Sequence, residues 1–92
     1  MTRAINRLTA KQVTNLQNPG RYSDGGNLYL SISKTGSRKW IFMYRFAGRQ
    51  REMGLGSANT TGISLATARE FAANARILLN FGKDPIEVKR EK

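Results

Sequence analysis

The stretch Arg38–Leu55, RKWIFMYRFAGRQREMGL, decides the fold. Two alternating runs flank Ala47-Gly48, the pattern of a β-hairpin closed by a two-residue turn. With that turn, Phe46 faces Arg49, Tyr44 faces Arg51, Phe42 faces Met53 and Trp40 faces Leu55 on one side of the ribbon. The other side carries Lys39, Ile41, Met43 and Arg45 from one strand and Gln50, Glu52 and Gly54 from the other. One face has the apolar bulk of a core; the other is mixed, basic at its edges and able to meet a partner.

Working outward, Leu28–Ile32 alternates strictly, placing Leu28, Leu30 and Ile32 inward and Tyr29 and Ser31 outward. A three-residue loop Lys34-Thr35-Gly36, with Gly36 left-handed, sets Leu30 opposite Trp40 and Leu28 opposite Phe42; a slip of one residue would drive Lys39 into the core. The preceding Arg21–Asn27 reads as turn chemistry, Asp24-Gly25 and Gly25-Gly26 supplying positive φ. Thr9 and Gln12 form a capping box that opens a short helix to about Asn15, anchored by Leu8, Val13 and Leu16 and ended by Asn18-Pro19-Gly20. Residues 1–7 show no period and read as a frayed arm bearing Arg3 and Arg7.

Downstream, Gly56–Gly62 is a polar linker leading to Ser64, an N-cap for a helix over Leu65–Asn80. Its stripe of Leu65, Ala68, Phe71, Ala72, Ala75, Leu78 and Leu79 fits over the Trp40/Phe42 face, with alanines permitting close approach. Gly82 stops the helix and Asp84-Pro85 blocks continuation. The expected fold is α+β: a three-stranded antiparallel sheet (28–33, 38–46, 49–55) packed on one C-terminal helix, with a short N-terminal helix. Residues 1–85 form one domain, and 86–92 a charged tail leading to further domains.

At 92 residues a chain buries only about 60–65% of its unfolded surface, so the core is small and must be complete. Without cysteine or histidine it has no disulfides and none of the usual zinc ligand sets; no cofactor is expected. No apolar run has membrane-spanning length and the N-terminus lacks a signal core, which reads as cytoplasmic, with no membrane partner. The formal charge is +10, and residues 1–51 hold ten Lys/Arg against Asp24 alone. Such a field attracts polyanions, nucleic acid first. Six carboxylates that form no pair, with no His or Cys, argue against catalysis.

Binding fits better, because a two- or three-stranded ribbon is narrow enough for a major groove about 12 Å wide. Lys39 and Arg45 then reach base edges or phosphates, Tyr29 and Ser31 donate hydrogen bonds, Ile41 or Met43 meets thymine methyls, and Gln50 joins the reading surface. Lys34, Arg38, Arg49 and Arg51, around the loops, suit phosphates. Arg49 and Arg51 fit edge protection against aggregation equally well, and Ile41 with Met43 fits a protein interface. RNA binding and a protein-interaction module therefore stand as alternatives.

The ordered set SDGGNLYL (23–30), GSRKWIFMYRFAGR (36–49), Leu55-Gly56, ISLATARE (63–70) and GKDP (82–85) resembles the N-terminal arm-type DNA-binding domain of phage and integrative-element integrases, the tyrosine recombinases. The resemblance implies sequence-specific binding of double-stranded arm sites by a sheet in the major groove. It also implies a non-catalytic part of a larger recombinase, monomeric alone and oligomeric on DNA when full-length, whose core-binding and catalytic domains lie elsewhere. Ser57–Gly62 departs from the aromatic-proline segment common at that point in the family.

Overall fold

A computed structural model of the chain describes residues 7–59 and 62–90. Most of the expected N-terminal arm, Arg3 included, and the end of the expected tail lie outside them. Helix α1 (Ala10–Asn15) opens on the capping box: the Gln12 amide donates to the Thr9 hydroxyl at 3.1 Å and the Thr9 amide to Gln12 Oε1 at 2.9 Å. Arg7, expected to fray, donates its amide to the Asp24 carbonyl at 3.0 Å.

The sheet has four strands, not three. Gly20–Gly25 (β1) pairs antiparallel with Leu28–Ile32 (β2), which pairs with Arg38–Phe46 (β3), and that with Arg49–Ser57 (β4), in the order β1-β2-β3-β4. The expected turn at 21–27 shrinks to Gly26-Asn27, both at positive φ (59° and 74°), which joins two right-twisted strands tightly. Arg21 pairs with Ser31 and Tyr22 with Leu30, and a bulge falls between Ser23 and Gly25. The glycines that suggested a loop are needed for the tight turn and the bulge; the pairing energy comes from β2, which local composition does not reveal.

Leu28 pairs with Phe42 and Leu30 with Trp40, as expected. In the second hairpin Phe46 pairs with Arg49, Tyr44 with Arg51 and Phe42 with Met53, while Trp40 pairs with Gly56 rather than Leu55. The slip is a bulge in β4. It puts Gly56, at φ 138°, where a Cβ would lie 2.2 Å from Ile63 Cδ1. The Ile63 carbonyl accepts the Trp40 indole N–H at 2.9 Å, so the linker is fastened to the core by the tryptophan it covers.

Helix α2 (Leu65–Asn80) starts at Ser64, whose hydroxyl accepts the Thr67 amide, and covers the apolar face with Leu65, Ala68, Ala72 and Ala75. Phe71, expected in the stripe, is 40% exposed: the small alanines bring the helix close, and Phe71 falls at the rim. A Schellman motif ends the helix, Gly82 (φ 75°) donating to Leu79 and Lys83 to Leu78. Asp84-Pro85 then starts something instead of only stopping it. Pro85–Arg90 is a second C-terminal helix, α3, with Asp84 accepting the Ile86 amide at 3.0 Å and proline at the first helical position, where its missing N–H costs nothing.

Two buried carboxylates fasten these layers. Asp24, 2% exposed, accepts the Leu8 amide at 2.8 Å and both Arg69 Nε and Nη2 at 2.9 Å, tying the N-terminal segment and β1 to α2. Arg76, two turns along α2, donates to the Gly26 carbonyl of the β1–β2 turn at 2.7 Å. Asp84 accepts from the Tyr44 hydroxyl and from Arg51 Nη1. Burial pushes the Asp84 carboxyl up, but the bonds from Tyr44, Ile86 and Arg51 outweigh it and hold its pKa below the ordinary value. Tyr44 is pushed up to about 12, by burial first and by its bond to Asp84 second.

Arg69→Met leaves Asp24 buried without its counter-charge and should cost about 2–4 kcal/mol in urea unfolding, toward the lower end because Arg69 keeps some solvent contact. Adding Asp24→Asn to that variant should recover part of the loss. For Asp84, a depressed folded-state pKa means that its contribution is fully present above the unfolded value near 4 and is lost as pH falls through the lower folded value. Unfolding free energy measured at stepwise lower pH should therefore decline below about pH 4, and less steeply in Asp84→Asn.

Candidate nucleic-acid interface

With α2 over one face of the sheet, the alternate residues of each strand stand on the other. Cross-strand pairing arranges them in rows: Arg21, Ser31, Lys39 and Ser57; then Ser23, Tyr29, Ile41 and Gly54; then Met43 with Glu52; then Arg45 with Gln50. Lys39, Arg45, Gln50 and Glu52 are exposed, and Tyr29, Ser31 and Met43 half-buried. The row positions follow from the two-residue side-chain period and the antiparallel register.

The sequence-predicted residues do not all gather there. Ile41 has the outward register but is only 3% exposed, so its side chain is not on offer to a groove. Arg51 belongs to the covered side: it pairs with Asp84 at 2.5 Å and Glu87 at 3.3 Å, and the bond to Asp84 first, then the one to Glu87, raise its pKa against the opposing effect of burial. Arg38 bonds the Leu16 carbonyl at the end of α1 through Nη1, and its Nη2 is buried with no partner among the described residues. Both arginines are partly buried and held by contacts within the fold. Lys34 in the β2–β3 loop and Arg49 beside the Ala47-Gly48 turn are exposed at opposite ends of the sheet, clear of the central rows.

One member of this face escaped the sequence reading. Arg21, assigned to a turn, extends from β1 across the sheet to Glu52 of β4 in a forked pair, Nη1–Oε2 at 3.0 Å and Nη2–Oε1 at 2.9 Å, with Nη1 3.4 Å from Met43 Sδ. The path runs over the row that holds Ile41. A signal for it existed: Arg-Tyr-Ser-Asp before Gly-Gly-Asn alternates in step with Leu-Tyr-Leu-Ser after it, the mark of a second tight hairpin. The face carries three strong cations, Arg21, Lys39 and Arg45, one acid and a set of hydrogen-bonding groups. It holds no pair of titratable groups suited to proton transfer, and among the described residues no cluster of metal-ligating side chains occurs.

A family model described as an Arm DNA-binding domain matches residues 8–92. The chain is 34% identical over 88 residues to an integrase of Enterobacteria phage P4, covering 92% of this chain and 20% of that protein. It is 30% identical over 86 residues to an integrase of Shigella phage Sf6 and, to the same extent, to the prophage integrase IntS of Escherichia coli K12, covering 22% of each. It thus spans about a fifth of the length of these relatives.

The division between fold and face cations can be measured by thermal unfolding. Lys39→Ala and Arg45→Ala should stay within about 0.5 kcal/mol of the parent, as open surface changes do. Arg51→Ala should lower the melting temperature clearly, because it strips Asp84 of a partner in the covered layer.

Proposed function

The chain belongs to the Arm DNA-binding domain family, and from that premise we propose that its outer sheet face binds double-stranded DNA in a sequence-dependent manner, entering the major groove. The observation that carries this reading is the uncovered face of the antiparallel sheet, where Lys39 and Arg45 stand beside Tyr29, Ser31, Met43 and Gln50 while α2 occupies the opposite side. Lys39 and Arg45 meet base edges or adjoining phosphates, Gln50 and Tyr29 hydrogen-bond, and Met43 supplies apolar contact. Lys34 and Arg49, at the two ends, take phosphates and fix the register of the sheet on the duplex.

The domain does no chemistry itself. It serves as the arm-site module of an integrase of the tyrosine recombinase class, delivering the rest of a longer protein to sites beside a crossover region. The module docks as a monomer on each site in the cytoplasm, and the complete recombinase assembles on DNA as an oligomer. Family membership and relatives named as integrases support that role. No helix among the described residues is long and apolar enough to cross a membrane.

Lys39→Ala with Arg45→Ala should remove the preference for a selected site over random duplex, and amide shifts on DNA titration should concentrate on β2, β3 and β4. Shifts confined to α2 would overturn the sheet assignment. If about five to seven phosphates are met, the log–log slope of affinity against salt should be about −4 to −6; a flat response would point to a protein interface instead. A same-sequence RNA duplex should compete poorly, since its deep, narrow major groove excludes the sheet.

A further inference from the structure

Glu52 is out of place on a surface that meets phosphates. Among the described residues it is the one acid in the outer rows, the others lying beneath the sheet or on α2 and α3. The Arg21–Glu52 pair contributes little to stability: its side chains are 44% and 43% exposed, and solvent screens a pair of that kind. Arg21 leaves one edge strand, and its guanidinium meets Glu52 of the other beside Met43 of β3, so the pair bridges the face from edge to edge.

That position is where base edges would lie in a groove, while phosphates would flank it. A carboxylate accepts and cannot donate. In the major groove the cytosine N4 amine is its natural donor, and the O6 and N7 of the paired guanine are the natural acceptors for an arginine. Resting on the DNA-binding reading above, we propose that Arg21 and Glu52 determine sequence specificity by reading one G·C base pair: the pair opens on docking, Glu52 accepts from cytosine N4, and Arg21 donates to guanine. In the free domain each masks the other's charge, so random duplex gains nothing from Arg21 and is repelled by Glu52 wherever no amine meets it.

The test is selection from a random duplex pool by the parent chain, Glu52→Gln and Arg21→Ala, with circular dichroism melts verifying that each variant is folded. The parent should show a G·C position favoured about tenfold or more, consistent with one good base contact. Glu52→Gln should lower the G·C preference at that position severalfold, because a neutral amide accepts less strongly from cytosine N4 and its NH2 also suits adenine N7, and should leave the other positions unchanged. Arg21→Ala should blur the same position and no other. An unchanged motif in Glu52→Gln would overturn the proposal and reduce the pair to charge balance, with only the affinity for random duplex raised. A parent that selects no motif would instead overturn the reading of the sheet as a sequence-specific surface.

Discussion

The Asp24 carboxylate is the point on which this small protein closes. It lies in the bulge of β1, is almost fully buried, and has both oxygens occupied by the Leu8 amide and the Arg69 guanidinium. Three parts of the chain meet there: the segment before α1, the first hairpin and the middle of α2. A buried carboxylate is tolerated only when it is paired and hydrogen-bonded, so the geometry of all three is constrained together. Arg76 adds a second hold on the same hairpin through the Gly26 carbonyl. Without this clamp β1 would be a glycine-rich edge with little apolar surface of its own.

A parallel arrangement secures the other end. Asp84 caps α3, accepts from Tyr44 of β3 and draws in Arg51 of β4, so the C-terminal helix is tied to the sheet through one carboxylate. The alanine stripe of α2 lies between the two clamps, close over Trp40, Phe42, Leu28 and Leu30, which are essentially solvent-free. In a domain with so small a core, these polar fastenings do work that a larger protein leaves to apolar area.

The clamps also redistribute the charge. Formal charge alone suggests a uniformly basic molecule, yet Arg38, Arg51, Arg69 and Arg76 all donate inward to backbone or carboxylate partners. The cations left on the open face are few and ordered in rows by the strand register, with Arg21 turned onto Glu52. The chain belongs to the Arm DNA-binding domain family, and this open face is the surface we propose for the duplex.

Much of this was legible in the linear chain. Alternation gave β2, β3 and β4 and most of their register; the Thr9–Gln12 box, Ser64 and Gly82 marked the bounds of α1 and α2; and the two-sidedness of Arg38–Leu55 separated core from outer face. These features are local, governed by side-chain periodicity and backbone propensity, and a sequence carries them directly. Alternation already set Arg38 and Arg51 on the side of Trp40 and Tyr44, and Lys39 and Arg45 on the other. Only the tertiary structure supplied what holds the first two: a partner 33 residues later for Arg51 and one 22 residues earlier for Arg38. Arg69 holds the Asp24 of β1, Gly56 instead of Leu55 lies opposite Trp40 where Ile63 covers it, and Asp84 is a helix cap that also takes Tyr44 and Arg51. Each depends on a contact between residues distant along the chain, whose energy exists only once the layers are packed.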